Sequence, residues 1–466
     1  MKAPAARLQW LCTAAITAVV LALLPAVASA GGVTTITGST TEVSGLTSQY
    51  KIEVPNPWNG TLVLYSHGYS FSPIAATDVG DATTGAWLLS NGYALAGSAY
   101  ATSGWALQQA FEDQIAVLDA FNKTKFGAPK RTIAWGHSLG GMITAGLVQL
   151  HPERFSGALP MCGVVAGGPG VWNQGLDSEF ALATLEAPFK MVNFTSFADA
   201  GNNFNIASAA LVAAQKNAEG RAHIALSAAL ADVPGWFNPA SAEPAANDYA
   251  AQEVNQLAWD NNPDFLFAFF GRAELEARAG GNFSWNTGVD YRVQLSHSID
   301  LAEVQALYAA AGLDLNKDLD RLNDAPRIAA NPAAVAYLTK YITYNGDLNM
   351  PVLTMHTTGD GLVEVTDENA YASVVRSAGD NSMLRQVFVH RAGHCSFTPA
   401  ETITAFKTLV HRLDTGRWQD GTDPGAMNAT AAAFGAGPPF NILPPSFINF
   451  HPDKFLRPFD ARDTEG

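Results

Sequence analysis

Between Arg131 and Leu150 the chain changes its period. Thr132, Ile133 and Trp135 are strand formers, whereas Met142-Ile-Thr-Ala-Gly-Leu-Val-Gln-Leu150 repeats its apolar residues at helical spacing. The join is the pentapeptide Gly136-His137-Ser138-Leu139-Gly140. A chain that passes from strand to helix through one residue turns so sharply that a Cβ two places before or after it would clash. Glycine stands at both of those places, Gly136 and Gly140, and Gly141 adds another small residue at the helix start. Ser138 is then held at the turn with its hydroxyl clear of the sheet, within reach of a histidine from another loop.

The flanking pattern fits such a join. Thr61-Leu-Val-Leu-Tyr65 and Tyr93-Ala-Leu-Ala-Gly97 are near-continuous apolar runs, as expected of strands buried on both faces. Helix-like segments lie at Thr84 to Asn91 and Gln108 to Thr124, and another strand run at Phe155 to Met161. Strands alternating with helices at this pitch predict an α/β fold, a mostly parallel sheet covered by helices on both faces. After Cys162 the alternation stops. Residues 167–345 are rich in Ala, Asn and aromatics and carry helix-like runs at Ile206 to Asn217, Ile224 to Ala231 and Leu301 to Ala311. The βα pattern resumes at Pro351 to His356 and Leu384 to His390 and closes with a helix from Ala400 to Leu413. The expected organisation is a leader at 1–30, sheet segments at 31–166 and 346–415, a mainly helical insertion at 167–345 and an irregular tail at 416–466, where Pro438-Pro439 and Pro444-Pro445 lie.

A Gly-x-Ser-x-Gly join in this strand–helix setting resembles the α/β-hydrolase superfamily of serine hydrolases, and the resemblance covers about 60–165 and 350–413. It implies an α/β-hydrolase fold whose helical insertion after the sixth strand caps the active site. It also implies a nucleophile, an acid and a histidine in that chain order. A serine hydroxyl is a weak nucleophile unless a base takes its proton, and the base needs an orienting acid. Ser138 is the expected nucleophile, Asp360 in Thr357-Thr-Gly-Asp360 the acid, and His394 in Arg391-Ala-Gly-His394 the base. Glu364 and Asp367 are reserve acids. His356 and His390 are reserve bases, but each lies within a strand run. An oxyanion needs backbone donors. They are expected from the amide of Leu139 and, because Ser66-His67-Gly68-Tyr69 resembles the lipase and esterase loop, from the amide of Tyr69. His67 and His137 are expected to order loops.

Residues 1–30 read as a secretory leader. Lys2 and Arg7 precede an apolar stretch from Leu11 to Val27, and Ala28-Ser29-Ala30 offers a cleavage site near Ala30. The expected product is exported, without a stable membrane anchor. The formal charge is −15, and two units more negative once Lys2 and Arg7 leave, which argues against nucleic acid as a partner. Loss of Cys12 leaves Cys162 and Cys395, for which pairing in an oxidising compartment is expected and two buried thiols are the alternative. The dipeptide His394-Cys395 resembles the tannase and feruloyl-esterase family. In that family the partner cysteine precedes the serine, a place held here by His137.

No phosphate loop and no zinc spacing occurs, so no cofactor and no metal is expected. Asp314 to Asp320 alternates oxygen ligands but lacks the glycine and glutamate of a calcium loop, and reads as a helix start. Sequons begin at Asn59, Asn122, Asn193, Asn282 and Asn428. Trp259, Phe265, Phe267, Phe269, Phe270, Phe283 and Trp285 are candidates for an acyl or aryl pocket, or for core. The function expected from the resemblance is cleavage of a small or polymeric, apolar carboxylic ester through an acyl-enzyme. The alternatives are a peptidase resembling proline-specific aminopeptidases, for which Glu274, Glu276 and Asp290 could hold the substrate amine, and a non-catalytic binding member of the fold.

Overall fold

The computed structural model describes residues 32–41, 44–418 and 422–459, and the expected leader lies outside them. Nine strands form one sheet: β1 (Val33–Thr41), β2 (Thr47–Pro55), β3 (Thr61–Ser66), β4 (Ala94–Ser98), β5 (Arg131–His137), β6 (Gly157–Met161), β7 (Val352–Gly359), β8 (Leu384–Ala392) and β9 (Phe447–Ile448). Their spatial order is β1-β2-β4-β3-β5-β6-β7-β8-β9. From β4 through β8 every neighbouring pair is parallel, while β1, β2 and β9 add antiparallel edges.

The continuous apolar runs have the cause expected of them. Every residue of β3 is buried. Its alternate side chains enter opposite cores, Leu62 and Leu64 on one face and Val63 and Tyr65 on the other. In β5, Ala134 joins the first core, and Ile133 and Trp135 the second. A strand covered on both faces has no polar side to show. Around the sheet pack α1 (Ala82–Ser90), α2 (Leu107–Asn122) and α3 (Leu139–Leu150). Asp81 fixes the start of α1 by accepting the Thr84 amide at 2.8 Å.

Between β6 and β7 the described chain is helical, from α4 (Gly168–Leu185) to the helix Pro332–Ile342. This block has its own core, in which Phe180, Leu226, Leu230, Tyr291 and Leu322 meet. Asp314 accepts the Asn316 amide and caps the helix Leu315–Asp324, which accounts for the acidic repeat there. After β8 the helix Pro399–Thr415 starts in a capping box formed by Thr398 and Glu401.

The tail is more regular than its prolines imply. Pro424–Ala432 is a helix capped by Asp423, with Pro424 in its first turn, where a missing N–H costs nothing. Phe447 and Ile448 extend the sheet by pairing with Val389 and Phe388. The double prolines lie between these two elements. Among the described residues no helix is long and apolar enough to cross a membrane.

Candidate active site

Ser138 has φ 58° and ψ −125°, in the left-handed region that costs a residue with a Cβ, and α3 begins at the next residue. The turn is held by hydrogen bonds on both sides. The Ser138 amide donates to Met161 O at 3.0 Å, and its carbonyl accepts the Met142 amide at 3.1 Å. The glycines are required by contact. A Cβ on Gly140 would stand 1.9 Å from Ser66 O, and one on Gly136 would stand 2.4 Å from Gly140 O. Gly141 serves the next strand, because its Cβ would lie 2.7 Å from Met161 O.

Asp360 follows the last residue of β7, and His394 lies two residues beyond β8. The register that pairs Gly359 with Ala392 brings these strand ends together. His394 Nδ1 lies 2.7 Å from Asp360 Oδ2. The other carboxylate oxygen of Asp360 accepts the amides of Leu362 and Val363, each at 3.1 Å. Burial opposes ionisation of Asp360, but His394 and His356 outweigh it and hold the carboxyl well below its usual range.

The reserve residues have other partners. His356 donates one ring nitrogen toward Val363 O at 2.9 Å and sets the other 3.2 Å from Glu368. Although burial lowers its pKa, Asp360 and Glu368 push it up to about 10, so it stands as a buried cation behind Asp360. His390 contacts Thr358 and Glu243. Asp367 accepts the Ala166 amide at 3.3 Å. Among the histidines considered, His394 has the shortest contact to Asp360, since His356 is 3.6 Å away.

Cys162 and Cys395 form a disulfide. It joins the residue after β6 to the residue after His394, so the histidine loop is tied to the strand beside β5, which leads into the sharp elbow at Ser138. His67 orders its loop by packing on Tyr100 at 3.8 Å and contacting Gly68 O at 2.7 Å. Burial drives His137 down to about 4, so it is neutral.

Ser138, Leu139 and Tyr69 line one cavity of about 110 Å³. Of the aromatic candidates, Phe265 and Phe267 reach it, whereas Phe269 and Phe283 belong to buried cores. Trp105 and Trp172 also line the cavity. The carboxylates considered for holding an amine do not: Glu274 pairs with Arg278, Glu276 accepts the amides of Asn193 and Phe194, and Asp290 caps the helix Tyr291–His297. In their place stand Glu179, Asp260, Asp264 and Glu364, of which only Glu364 was considered, as a reserve acid. A sequence signal existed for the others. Glu179 interrupts the apolar run of α4 next to Phe180-Ala-Leu182, and Asp260 and Asp264 lie between Trp259 and Phe265.

Residues 90–167 match the prolyl oligopeptidase family. An o-phthalyl amidase of Xanthobacter agilis is 29% identical over 421 residues, covering 84% of this chain and 90% of its own. Among solved structures, an esterase from Aspergillus oryzae aligns at TM-score 0.44 and 13% identity, over 82% of this chain and 80% of its own. The cell-wall-degrading esterase LipA of Xanthomonas oryzae aligns at 0.38 and 14%, over 82% and 89%. With parallel strands feeding helices, and a serine at the strained join between β5 and α3 that the family match spans, the chain has the α/β-hydrolase fold.

Proposed function

We propose that the protein is an exported serine hydrolase that cleaves carboxylic esters through an acyl-enzyme. The reading is carried by the 2.7 Å contact of His394 Nδ1 with the buried carboxylate of Asp360, on a loop bound covalently to the strand beside Ser138. Ser138 Oγ attacks the acyl carbonyl, and His394 Nε2 takes the hydroxyl proton. Asp360 holds the imidazole with its Nδ1 proton directed at Oδ2 and stabilises the imidazolium that forms. The amides of Leu139 and Tyr69 receive the developing oxyanion. His394 then protonates the leaving group, and water attacks the acyl-serine with His394 as base. The helices of 167–345 act as the cap, since Trp172, Phe265 and Phe267 from that block share the cavity with Ser138. Export is supported by the leader pattern and by the disulfide.

A second reading, amide cleavage, is favoured by the relative named as an o-phthalyl amidase. The chemistry differs only in the leaving group, which His394 must protonate before the bond breaks. A panel of nitrophenyl esters from acetate to long acyl, beside acyl and aminoacyl nitroanilides, tests both with Ser138→Ala as control. Ester turnover abolished in the variant supports the first reading, and anilide turnover alone supports the second. Turnover of neither, with no labelling by a fluorophosphonate, removes both and leaves a binding member of the fold.

A further inference from the structure

Four carboxyl groups line the cavity beside Ser138: Glu179, Asp260, Asp264 and Glu364. Glu179 and Asp260 are each 3% exposed, and each has a buried oxygen without a hydrogen-bond partner, Oε2 and Oδ2. Both oxygens of Asp264 are buried and unpartnered. Arg272, fully buried, has Nη2 3.8 Å from Glu179 while donating to Ser284 and the Trp172 carbonyl. Glu253 lies near Asp260, and Asp360, itself held between His356 and His394, lies near Asp264 and Glu364. Burial, with repulsion from neighbouring carboxylates added, pushes Asp260 up to about 7 and holds Asp264 and Glu364 well above the carboxyl range, while burial pushes Glu179 up to about 8 against the opposing pull of Arg272. Carboxyls kept from water without partners are costly, and a cation is the ligand that reverses the cost.

The other wall is aromatic. Tyr69 meets Trp105 at 5.3 Å and Phe267 at 5.1 Å, edge to face. Rings beside carboxylates form a site for an organic cation, because ring faces attract positive charge while packing against carbon. An inorganic ion fits less well: among the described residues no three His, Cys, Asp or Glu side chains are grouped to hold a metal.

We propose that this cavity binds the positively charged ammonium group of the substrate, so that the enzyme selects acyl compounds carrying a protonated amine. The proposal rests on the reading above only in taking Ser138 as the end of the cavity where the bond is cleaved. Asp260 and Asp264 supply the charge, and Tyr69, Trp105 and Phe267 the aromatic surface.

The test is calorimetric binding to the full-length Ser138→Ala chain at pH 8, which needs no turnover. The ligands are benzylammonium chloride, benzyl alcohol and sodium benzoate. Benzylammonium is expected to bind about tenfold or more tighter than benzyl alcohol, and benzoate weakest. Asp260→Asn and Asp264→Asn, each made separately so that one poorly folding variant does not decide the matter, should bring the ammonium-to-alcohol ratio toward one. Benzyl alcohol or benzoate binding as tightly as benzylammonium, or both variants keeping the parent ratio, overturns the proposal. So does displacement of benzylammonium by millimolar calcium chloride, which would make the site one for an inorganic ion. An unreactive Ser138 would be seen instead in the ester panel, with the binding ratio unaffected.

Discussion

Cys395 Sγ lies 3.3 Å from Nε2 of His394, the nitrogen that takes the proton of Ser138 in the proposed mechanism, and the same sulfur is bonded to Cys162. The disulfide therefore touches His394 as well as anchoring its loop. A disulfide sulfur cannot donate a proton, but it is a weak acceptor for Nε2–H once the imidazole is charged. Cys162→Ser is expected to remove this restraint. The bond closes a loop with a sequence separation of 233, for which chain entropy gives roughly 5 kcal/mol of stabilisation. Denaturant titration should show a loss of that order. A mild reductant should lower ester turnover at temperatures where far-ultraviolet circular dichroism is unchanged, and turnover lost only on unfolding would refute a positioning role.

Ser138→Ala should lower kcat by about 10⁴-fold or more and abolish fluorophosphonate labelling. Asp360→Asn, which preserves shape but disfavours the Nδ1-protonated tautomer of His394, should lower kcat by about 10⁴-fold with a smaller effect on KM. Steady-state kinetics on the best ester decide it. A KM effect alone would assign Asp360 to binding.

Gly140→Ala tests the elbow by sterics. Its Cβ would be placed 1.9 Å from Ser66 O, a backbone atom that cannot rotate away. The variant should lose about 3 kcal/mol or more, or fail to fold. Gly288→Ala is the contrast, since a Cβ there meets nothing within 4 Å, although its φ of +80° still costs about 1 kcal/mol. Thermal midpoints of the two, compared side by side, are the measurement.

Asp260 links the cavity to stability. Its carboxyl rises from 3.8 to about 7 on folding, through burial and the nearby Glu253. The folded chain thus keeps a proton that the unfolded chain releases between those values. The group costs no stability below about pH 4 and an increasing amount as pH rises to about 7. Asp260→Asn removes that penalty. It should raise stability by about 1–3 kcal/mol at pH 8 and by much less at pH 4.5. Calorimetric scans at the two pH values test the difference, and equal shifts at both would be inconsistent with a titrating Asp260.

Much of the fold was legible because its signals are local. The elbow glycines are demanded by contacts within one turn, and the apolar runs of β3 and β5 follow from burial on both faces. Asp360 and His394 could be singled out because each follows a strand that the sequence marks clearly, and the structure sets them 2.7 Å apart. The tail misled for a local reason too: its double prolines imply irregular chain, yet Pro424 begins a helix and Phe447 pairs at the sheet edge.

What the sequence determined by itself was the sheet and the strained serine, with two residues proposed to activate it. Tertiary structure alone decided which carboxylates line the cavity that Ser138 also lines. Glu179 lies on α4, Asp260 and Asp264 lie in the distorted helical stretch before Arg272, and Glu364 follows β7. Glu274 and Glu276, which have the same chemistry, fold onto Arg278 and onto backbone amides instead. Carboxylates are alike in a string of letters. Whether one is solvated, paired or left without a partner beside three others depends on which distant segments pack around it, and no local pattern encodes that.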